Sequence, residues 1–311
     1  MEQQIVGIDV SKAFLDVQIG GTGRRLRVGN DVAGIERLVR ELGGESWLVV
    51  MEASGGYERP PHRELTRRGF PVAIVNPKRV RDFARSMGKE AKTDRVDSGV
   101  IGDYAKVVRP APTPLPEPAR TALAELLACR RQVVDEITAR RQQAPHLTTD
   151  AARQHVQKAL EFLEEQRRLL DRELRAAIQA DPVLEADHAL ITSMPGGGPI
   201  LAATLLALLP ELGHLDRRRL AALTGLAPFA RDSGTRHGRR AIKGGRGQVR
   251  SALYMGAVAT LKARPNPFRD RYERMTTHGK QPKVAIVALM RHMLVTLNAM
   301  LKSRQRWKCP E

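Results

Sequence analysis

Hydrophobic and polar positions near the start of the chain fall into short runs that predict strands. Residues 5–10 form an apolar run around an acid, and residues 14–19 alternate apolar and polar side chains, which is typical of a second, antiparallel strand. The following runs predict a strand over 25–29, a helix over 32–42, a strand over 46–51, a helix over 60–68, a strand over 71–75, and helices over 80–86 and 93–107. Strands that come first alone and then alternate with helices indicate an α/β domain over residues 1–108.

Proline marks the end of this domain. Residues 109–118 contain five prolines, which predicts a stiff, extended connector. Apolar residues then recur at helical spacing over 119–143 and 151–180, and Pro145 interrupts them. Two long amphipathic helices, forming an antiparallel hairpin or an oligomerising coiled coil, are predicted. We therefore assign residues 109–182 to a Pro-rich connector with coiled-coil helices.

The remaining residues, 183–311, predict an all-α unit with glycine turns. The segment Met-Pro-Gly-Gly-Gly-Pro over 194–199 predicts a turn between apolar helices, of the helix-hairpin-helix type. A loop rich in Gly and Arg over 231–247 precedes a helix over 248–263, and a last helix is predicted over 283–302. The expected fold class is α/β plus all-α.

The charge is concentrated at the end of the chain. The formal net charge is +18; residues 1–214 contain 30 Lys and Arg against 29 Asp and Glu, whereas residues 215–311 contain 22 against 5. Such a cationic region attracts the phosphate backbone of nucleic acid. An anionic membrane is the other possible target, but the basic residues are scattered among Gly and Pro instead of lining one amphipathic face.

Composition argues against several classes of protein. The two cysteines exclude a disulfide framework and a cysteine-based zinc site. No secretory signal is visible at the N-terminus, and the most apolar stretch, residues 200–209, is about half the length of a membrane span. We expect a soluble, cytoplasmic protein that contacts no membrane.

Four acidic residues lie at predicted strand ends and on a predicted helical turn, positions suited to a metal site. Asp9 and Glu52 lie at the ends of predicted strands, and Asp94 and Asp97 share one face of a predicted helical turn. Carboxylate oxygens are ligands that Mg²⁺ prefers. Two Mg²⁺ ions held by these acids would polarise a scissile phosphate. The alternative is that each acid caps a helix or ends a strand.

Phosphate contacts are predicted in the last unit. Backbone N–H groups around Gly196 and Gly198 could hold a phosphate, although an ordinary interhelical turn explains them equally well. Ser233 lies in a loop dense in guanidinium groups, where a serine is ordinarily a turn residue. The basic residues predicted to contact nucleic acid are Arg231, Arg236, Arg239, Arg240, Lys243, Arg246 and Arg250.

The order of these motifs resembles a known family. Gly-Ile-Asp-Val-Ser-Lys over 7–12, Met-Glu-Ala-Ser-Gly-Gly-Tyr over 51–57 and Lys-Thr-Asp-Arg-Val-Asp over 92–97 are similar to motifs of the DEDD transposases of insertion sequences. These are the bridge-RNA-guided recombinases, which include the Piv-type DNA invertases. The segments over 194–199, 223–228 and 232–234 resemble the C-terminal transposase domain of that family.

The resemblance implies a RuvC-like (RNase H-like) domain whose acids Asp9, Glu52, Asp94 and Asp97 bind Mg²⁺, with Mn²⁺ as a substitute. It also implies that Ser233 is the nucleophile and forms a covalent phosphoserine link to DNA. The implied partners are donor and target DNA, a structured noncoding bridge RNA, and further copies of the chain, which form a dimer that assembles into a tetramer. Such an enzyme is prokaryotic and associated with the nucleoid.

Two other hypotheses stay open. In the first, the protein is a metal-dependent junction nuclease in which the acids activate water and Ser233 only shapes a loop, or else it is a DNA invertase without RNA guidance. In the second, it is a basic nucleic-acid-binding regulator without activity. The presence of all four acids argues against the second.

Overall fold

The protein is described by a computed structural model. It covers residues 4–20, 24–43, 46–88, 94–229, 238, 240–263 and 266–309, with residues 94–97 described by their backbone alone. The chain divides into two compact units, Met1–Pro116 and Glu117–Glu311, which we call the first and the second unit. Predicted sheet and helices are both present, so the mixed class of α/β and α structure is confirmed.

The first unit contains a five-stranded mixed sheet with helices on both faces. Its elements, in chain order, are β1 Gln4–Val10, β2 Phe14–Ile19, β3 Arg24–Gly29, α1 Val32–Leu42, β4 Trp47–Glu52, α2 Arg59–Arg67, β5 Val72–Val75, α3 Pro77–Ser86 and α4 Asp94–Val108. The strand order is β3-β2-β1-β4-β5; β2 is antiparallel to both of its neighbours, and β1, β4 and β5 are parallel.

The alternation of side chains divides the core of this unit into two layers. Ile8 and Met51 pack with α1 residues such as Leu38 on one face of the sheet. Val50 packs with α4 residues such as Ile101 on the other face. Side chains one residue apart on a strand therefore meet different helices.

The proline connector is anchored to the first unit. Thr113 donates its backbone N–H to the carbonyl oxygen of Val72 at 2.7 Å, and its hydroxyl accepts from the N–H of Ile74 at 2.9 Å. Residues up to Pro116 therefore belong with the sheet. The proposed division at residues 108 and 182 stays a prediction.

Within the residues that the structure describes, the second unit is helical apart from one short hairpin. Its elements are α5 Pro118–Gln143, a 3₁₀ turn Ala144–His146, α6 Asp150–Gln179, α7 Pro182–Thr192, α8 Pro199–Leu208, α9 Arg217–Leu223, β6 Pro228–Phe229, β7 Ala241–Ile242, α10 Gly247–Lys262, α11 Pro267–Thr277 and α12 Pro282–Ser303. Pro145 lies in the turn between α5 and α6, as predicted, and ion pairs such as Arg130–Asp171 at 2.5 Å join these two helices. The hairpin β6–β7 and helix α11 were not predicted.

Helix α12 is the main core helix of the second unit. By length and composition it could cross a membrane, with a mean hydropathy of 1.8 over its most apolar window, but 56% of that window is buried inside the protein. Leu289, Met293 and Leu297 are fully buried in the core of this unit. Residues 200–209, the stretch expected to be too short for a membrane span, lie almost wholly in helix α8, which has ten residues.

Gly7 allows β1 and α4 to approach each other closely. A Cβ atom added at Gly7 would lie 2.4 Å from the carbonyl oxygen of Ser98 and 2.7 Å from the backbone nitrogen of Gly102. Both are backbone atoms, so the helix itself would have to move. We expect Gly7→Ala to lower the free energy of unfolding of the first unit by about 1–3 kcal/mol, the usual range for overpacking.

The measurement is urea unfolding followed by the fluorescence of Trp47, in a Trp307→Phe background that removes the other tryptophan. Gly102→Ala is the matched control, because a Cβ there meets no atom within 4 Å. Alanine in a helix should leave stability unchanged or raise it by up to about 1 kcal/mol. Equal stability of Gly7→Ala and the wild type would show that α4 can move away from β1 without cost.

Candidate active site

The two strand-borne acids lie side by side. Asp9 is near the end of β1, and Glu52 is the last residue of β4. These strands are parallel, with Ile8 paired to Met51, so Asp9 and Glu52 continue that register one residue further along. Both side chains are half-buried. Because neighbouring strands are about 4.8 Å apart, the fold brings these two predicted ligands together.

Both acids lie on the face of the sheet that α4 covers. Asp9 is two residues after Gly7, which contacts the backbone of α4. Glu52 is two residues after Val50, which packs with α4 in the core. Since residues two apart on a strand share a face, the acids face the same layer as α4.

The helix-borne acids are described by their backbone alone. Residues 94–97 form the first turn of α4, which packs against β1. Hard oxygen donors suit a divalent cation such as Mg²⁺, so Asp9 and Glu52 fit such an ion chemically. Among the side chains that the structure describes, no group of three or more His, Cys, Asp or Glu could hold a metal. The described part thus supplies two of the four predicted ligands.

A third carboxylate, which the sequence motifs do not single out, lies beside Asp9. Asp16 on β2 is directly opposite Asp9 in the antiparallel register. Like charges in such a pair repel each other. Arg27 on β3 pairs with Asp16 through two hydrogen bonds of 2.7 Å, which compensates the charge of that carboxylate. The polar positions in the alternating run over residues 14–19 are the signal that could have found it.

The loop after Glu52 is ordered by Glu58. The carboxylate of Glu58 accepts hydrogen bonds from the backbone N–H groups of Ser54 at 3.0 Å and Gly56 at 2.8 Å. Burial raises the pKa of Glu58, but hydrogen bonds from these groups, from its own backbone N–H and from the Ser54 hydroxyl outweigh it, so the pKa lies below its usual value. Glu58 is therefore ionised at neutral pH, and the stabilisation it gives this loop is lost only as the pH falls through that lowered pKa.

The loop that carries Ser233 begins and ends at the short hairpin. Phe229 of β6 pairs with Ala241 of β7. Ser233 and the basic residues predicted near it lie outside the described residues; these are Arg231, Arg236 and Arg239. Their roles remain predictions.

Tight backbone packing and two arginines fix the base of this loop. A Cβ atom at Gly225 would lie 2.1 Å from the carbonyl oxygen of Gly244, so the two turns are in direct contact. Arg246 donates to both carboxylate oxygens of Glu211, at 2.5 and 2.7 Å. Arg250 donates to the carbonyl oxygen of Gly244 at 2.5 Å. Both guanidinium groups are therefore bonded to protein acceptors in this structure, which gives them a structural role that the sequence pattern does not indicate.

Glu211 is the partner that makes this role possible. Its burial raises its pKa, but the hydrogen bonds and charge of Arg246 outweigh that effect and hold the pKa below its usual value. The pair is therefore charged on both sides at neutral pH. Contact of Arg246 and Arg250 with phosphate stays a prediction.

The other predicted phosphate contacts are placed differently. Arg240 and Lys243 are exposed, and neither is in an ion pair with a described residue. Gly198 is exposed and directly precedes α8. Gly196, with φ +79°, is packed inward: an added Cβ would lie 2.5 Å from the carbonyl oxygen of Gly256 on α10. The packing at Gly196 is that of an interhelical turn, the alternative left open by the sequence.

A second basic surface, also not singled out by the sequence motifs, lies at the end of α11. Arg271, Arg274, His278 and Lys280 line a concavity of about 370 Å³ and are all exposed. None of them is in an ion pair with a carboxylate of the described residues, whereas Arg269 on the same helix pairs with Glu273 at 2.8 Å. We name this group the α11 basic surface. Arg271, Arg274 and His278 follow one another at helical spacing along α11 and its C-terminal end, a pattern that could have indicated this surface, and the turn after α11 adds Lys280.

Comparison with known proteins assigns the chain to a family. A model of the DEDD-type transposases of the IS110 group matches residues 6–150, and a model described as the transposase IS116/IS110/IS902 family matches residues 188–273. The pilin gene-inverting proteins of Moraxella bovis and Moraxella lacunata are each 26% identical over 323 residues, covering 98% of this chain and 98% of theirs. An insertion element IS110 protein of Streptomyces coelicolor is 35% identical over 146 residues, which is 46% of this chain and 35% of that protein.

These matches define a DNA recombination enzyme. More narrowly, the chain belongs to the IS110 family of transposases, and the resemblance drawn from its motifs is confirmed at that level. Transposases act on DNA, and the DEDD type suggests a divalent metal.

The α11 basic surface should contribute to DNA affinity. Each phosphate contact that is lost reduces the slope of log K against log salt concentration by about 0.9 for duplex DNA. We therefore expect the Arg271→Gln/Arg274→Gln double variant to bind duplex DNA more weakly, with the slope reduced by about 1.8. Fluorescence anisotropy across a salt series measures both quantities. Arg269→Gln, whose arginine is paired with Glu273, should keep the wild-type slope; a double variant with that same slope would contradict the assignment.

Proposed function

We propose that the protein is an insertion-sequence transposase that acts as an RNA-guided DNA recombinase, with a metal site on the first unit and a serine nucleophile on the second. The observation that carries this proposal is the placement of Asp9 and Glu52 on adjacent parallel strands, on the face covered by α4. Two strand-end carboxylates beside the helix that carries Asp94 and Asp97 are what a DEDD site requires.

We further propose that the first unit has a RuvC-like (RNase H-like) fold. The order β3-β2-β1-β4-β5, with an antiparallel meander followed by parallel strands, supports this assignment. So does the match of residues 6–150 to the DEDD family model.

Asp9, Glu52, Asp94 and Asp97 would hold Mg²⁺, or Mn²⁺ in its place. Bound there, the cation would supply Lewis-acid polarisation of a phosphoryl oxygen and charge compensation in the transition state. The chain's own contribution is to hold two carboxylates at adjacent strand ends. Asp16 does not add its full charge to this group, because Arg27 compensates it.

Ser233 would attack the phosphorus of a DNA phosphodiester. The serine Oγ–P bond forms, one P–O bond of the DNA breaks, and the departing oxygen takes up a proton as the serine loses its own. A second DNA hydroxyl reverses these steps and releases the serine. The Gly225–Gly244 contact and the Arg246–Glu211 pair, which lie on either side of the Ser233 segment in sequence, support this role, since they fix the described residues from which that segment begins and ends.

The proposed partners follow the family resemblance. Donor and target DNA are the substrates, a structured noncoding bridge RNA selects them by base pairing, and a dimer pairs into a tetramer whose subunits share composite sites. The excess of positive charge after residue 214 supports contacts with these DNA and RNA partners, because basic residues bind the phosphate backbone of nucleic acid. The protein would act in the prokaryotic cytoplasm, at the nucleoid.

DNA inversion is the second candidate function. The relatives that match over 98% of both chains are named for the inversion of a pilin gene. Inversion and transposition use the same strand cleavage and joining, so the proposed site serves either outcome. A junction nuclease, in which water replaces Ser233 as the nucleophile, is the remaining alternative.

The nucleophile can be tested by substitution. We expect Ser233→Ala to abolish the covalent protein–DNA adduct and to reduce recombinant products by about 10³-fold or more, because no other group replaces the attacking oxygen. The adduct is measured by denaturing gel electrophoresis with labelled DNA, and the recombinants by quantitative PCR. Ser303→Ala, at an exposed serine of the same unit, is the control and should keep both signals. DNA cleavage by Ser233→Ala at the wild-type rate would identify a nuclease instead.

RNA guidance predicts a defined RNA partner. Protein purified from its own cells should carry one discrete noncoding transcript encoded beside its gene, since guidance depends on a specific fold and not on charge alone. Sequencing of the bound RNA measures this. A heterogeneous sample of cellular RNA would favour inversion or transposition without a guide.

A further inference from the structure

Asn30 lies between the two loops that follow the candidate catalytic acids. Its side-chain Nδ2 donates one hydrogen bond to the carbonyl oxygen of Ser11 at 2.9 Å and another to the carbonyl oxygen of Tyr57 at 3.1 Å. Ser11 is two residues after Asp9, and Tyr57 is five residues after Glu52. One amide group thus joins the loop after β1 to the loop after β4.

Each of these loops is already closed on itself. The backbone N–H of Ser11 donates to the carbonyl oxygen of Phe14 at 2.9 Å, and the Ser11 hydroxyl donates to the same oxygen at 2.8 Å. Glu58 closes the other loop through the N–H groups of Ser54 and Gly56. Asn30 therefore links two preformed turns and is not needed to form either one.

The backbone of Asn30 is itself held in place. Its N–H donates to the carbonyl oxygen of Ala13 at 2.9 Å. The next residue, Asp31, caps α1 by accepting from the N–H of Gly34 at 2.8 Å. At Gly34 an added Cβ would lie 2.0 Å from the carbonyl oxygen of Gly29, so α1 is in direct contact with the end of β3. The amide group is consequently presented from a rigid position.

The chemistry of the two acceptors fixes the orientation of the amide. Carbonyl oxygens only accept hydrogen bonds, so the Nδ2 side must face both of them. The Oδ1 atom of Asn30 is buried and has no hydrogen-bond partner among the described residues. An unpaired buried oxygen is unfavourable. The arrangement uses the donor side of the amide and leaves its acceptor side unused.

We propose that Asn30 is a positioning residue that sets the separation of the Asp9 and Glu52 carboxylates and thereby tunes the affinity for the divalent cation. This inference rests on the proposed function, in which those two acids bind the cation. Outer hydrogen bonds that orient metal ligands change metal affinity by about 10–100-fold when removed. Asn30 acts on the loops and contacts neither substrate nor metal.

The test compares Asn30→Asp and Asn30→Ala with the wild type. Asn30→Asp keeps the shape of the side chain but has no donor when ionised, and it places negative charge against two carbonyl oxygens. We expect Mn²⁺ affinity, measured by isothermal titration, to fall by about 10-fold or more in both variants. In metal-free protein, hydrogen exchange should become faster in peptides covering residues 10–16 and 53–60. A packing role would instead leave Asn30→Asp at wild-type values in both measurements.

Thr113→Val is the matched control. It removes the acceptor of the Ile74 N–H in the same unit and changes neither charge nor volume appreciably. Its Mn²⁺ affinity and its exchange in the two loops should equal those of the wild type, even if its unfolding midpoint falls as much as that of Asn30→Asp. A matching loss of Mn²⁺ affinity in Thr113→Val would overturn the inference.

Two variants of the acids separate this inference from the proposed function. Asp9→Asn and Glu52→Gln should each lose Mn²⁺ binding if those acids are ligands. If both variants bind Mn²⁺ as the wild type does, the proposed metal site is wrong. If they lose binding while Asn30→Asp keeps wild-type affinity and loop exchange, the proposed site stands and the role of Asn30 is wrong.

Discussion

The direct contact between the backbones of β1 and α4 at Gly7 is the constraint on which the candidate active site depends. Where a helix packs on a sheet, side chains from both elements ordinarily separate the backbone of the helix from the backbone of the strands. At Gly7 there is no side chain on the strand, and α4 approaches until its own backbone is the neighbour. Asp9, two residues further along the same face, is therefore brought close to the layer that carries Asp94 and Asp97. The parallel pairing of β1 with β4 adds Glu52 to the same place.

The basic residues of the second unit fall into two groups, those bonded to acceptors within the protein and those exposed to solvent. Arg246 and Arg250 are bonded to acceptors within the protein and hold the base of the Ser233 loop. Arg240 and the residues of the α11 basic surface are exposed and are not paired with carboxylates of the described residues. A net charge alone does not make this distinction, because a half-buried acid such as Glu211 pairs with one particular arginine and occupies its guanidinium group.

Most of the first unit could be predicted from the sequence, because β1 and β4 are short apolar runs, β2 alternates apolar and polar residues, and a helix such as α1 has a clear apolar face. The helix over Val32–Leu42 and the strand over Phe14–Ile19 were predicted to the residue. The placement of Asp9 and Glu52 at strand ends followed from the same patterns. The contact of Asp16 with Arg27 could not be predicted, since it depends on the register between β2 and β3. In the second unit, the pairing of β6 with β7 involves two residues on each side, which is too short to leave a periodic signal.

The two parts of the proposed site lie on different units, and each is bordered by described residues that are held firmly in place. On the first unit, internally closed turns and Asn30 restrict the loops around the acids. On the second, the Gly225–Gly244 contact and the Arg246–Glu211 pair fix described residues that precede and follow the Ser233 segment in sequence. Preorganisation of this kind lowers the entropic barrier only when both parts meet on one phosphodiester. If the proposed function holds, neither unit can cleave DNA by itself, so the reaction is conditional on the assembly that brings acids and serine together. A recombinase that must not cut DNA before its two partner duplexes are aligned benefits directly from that condition.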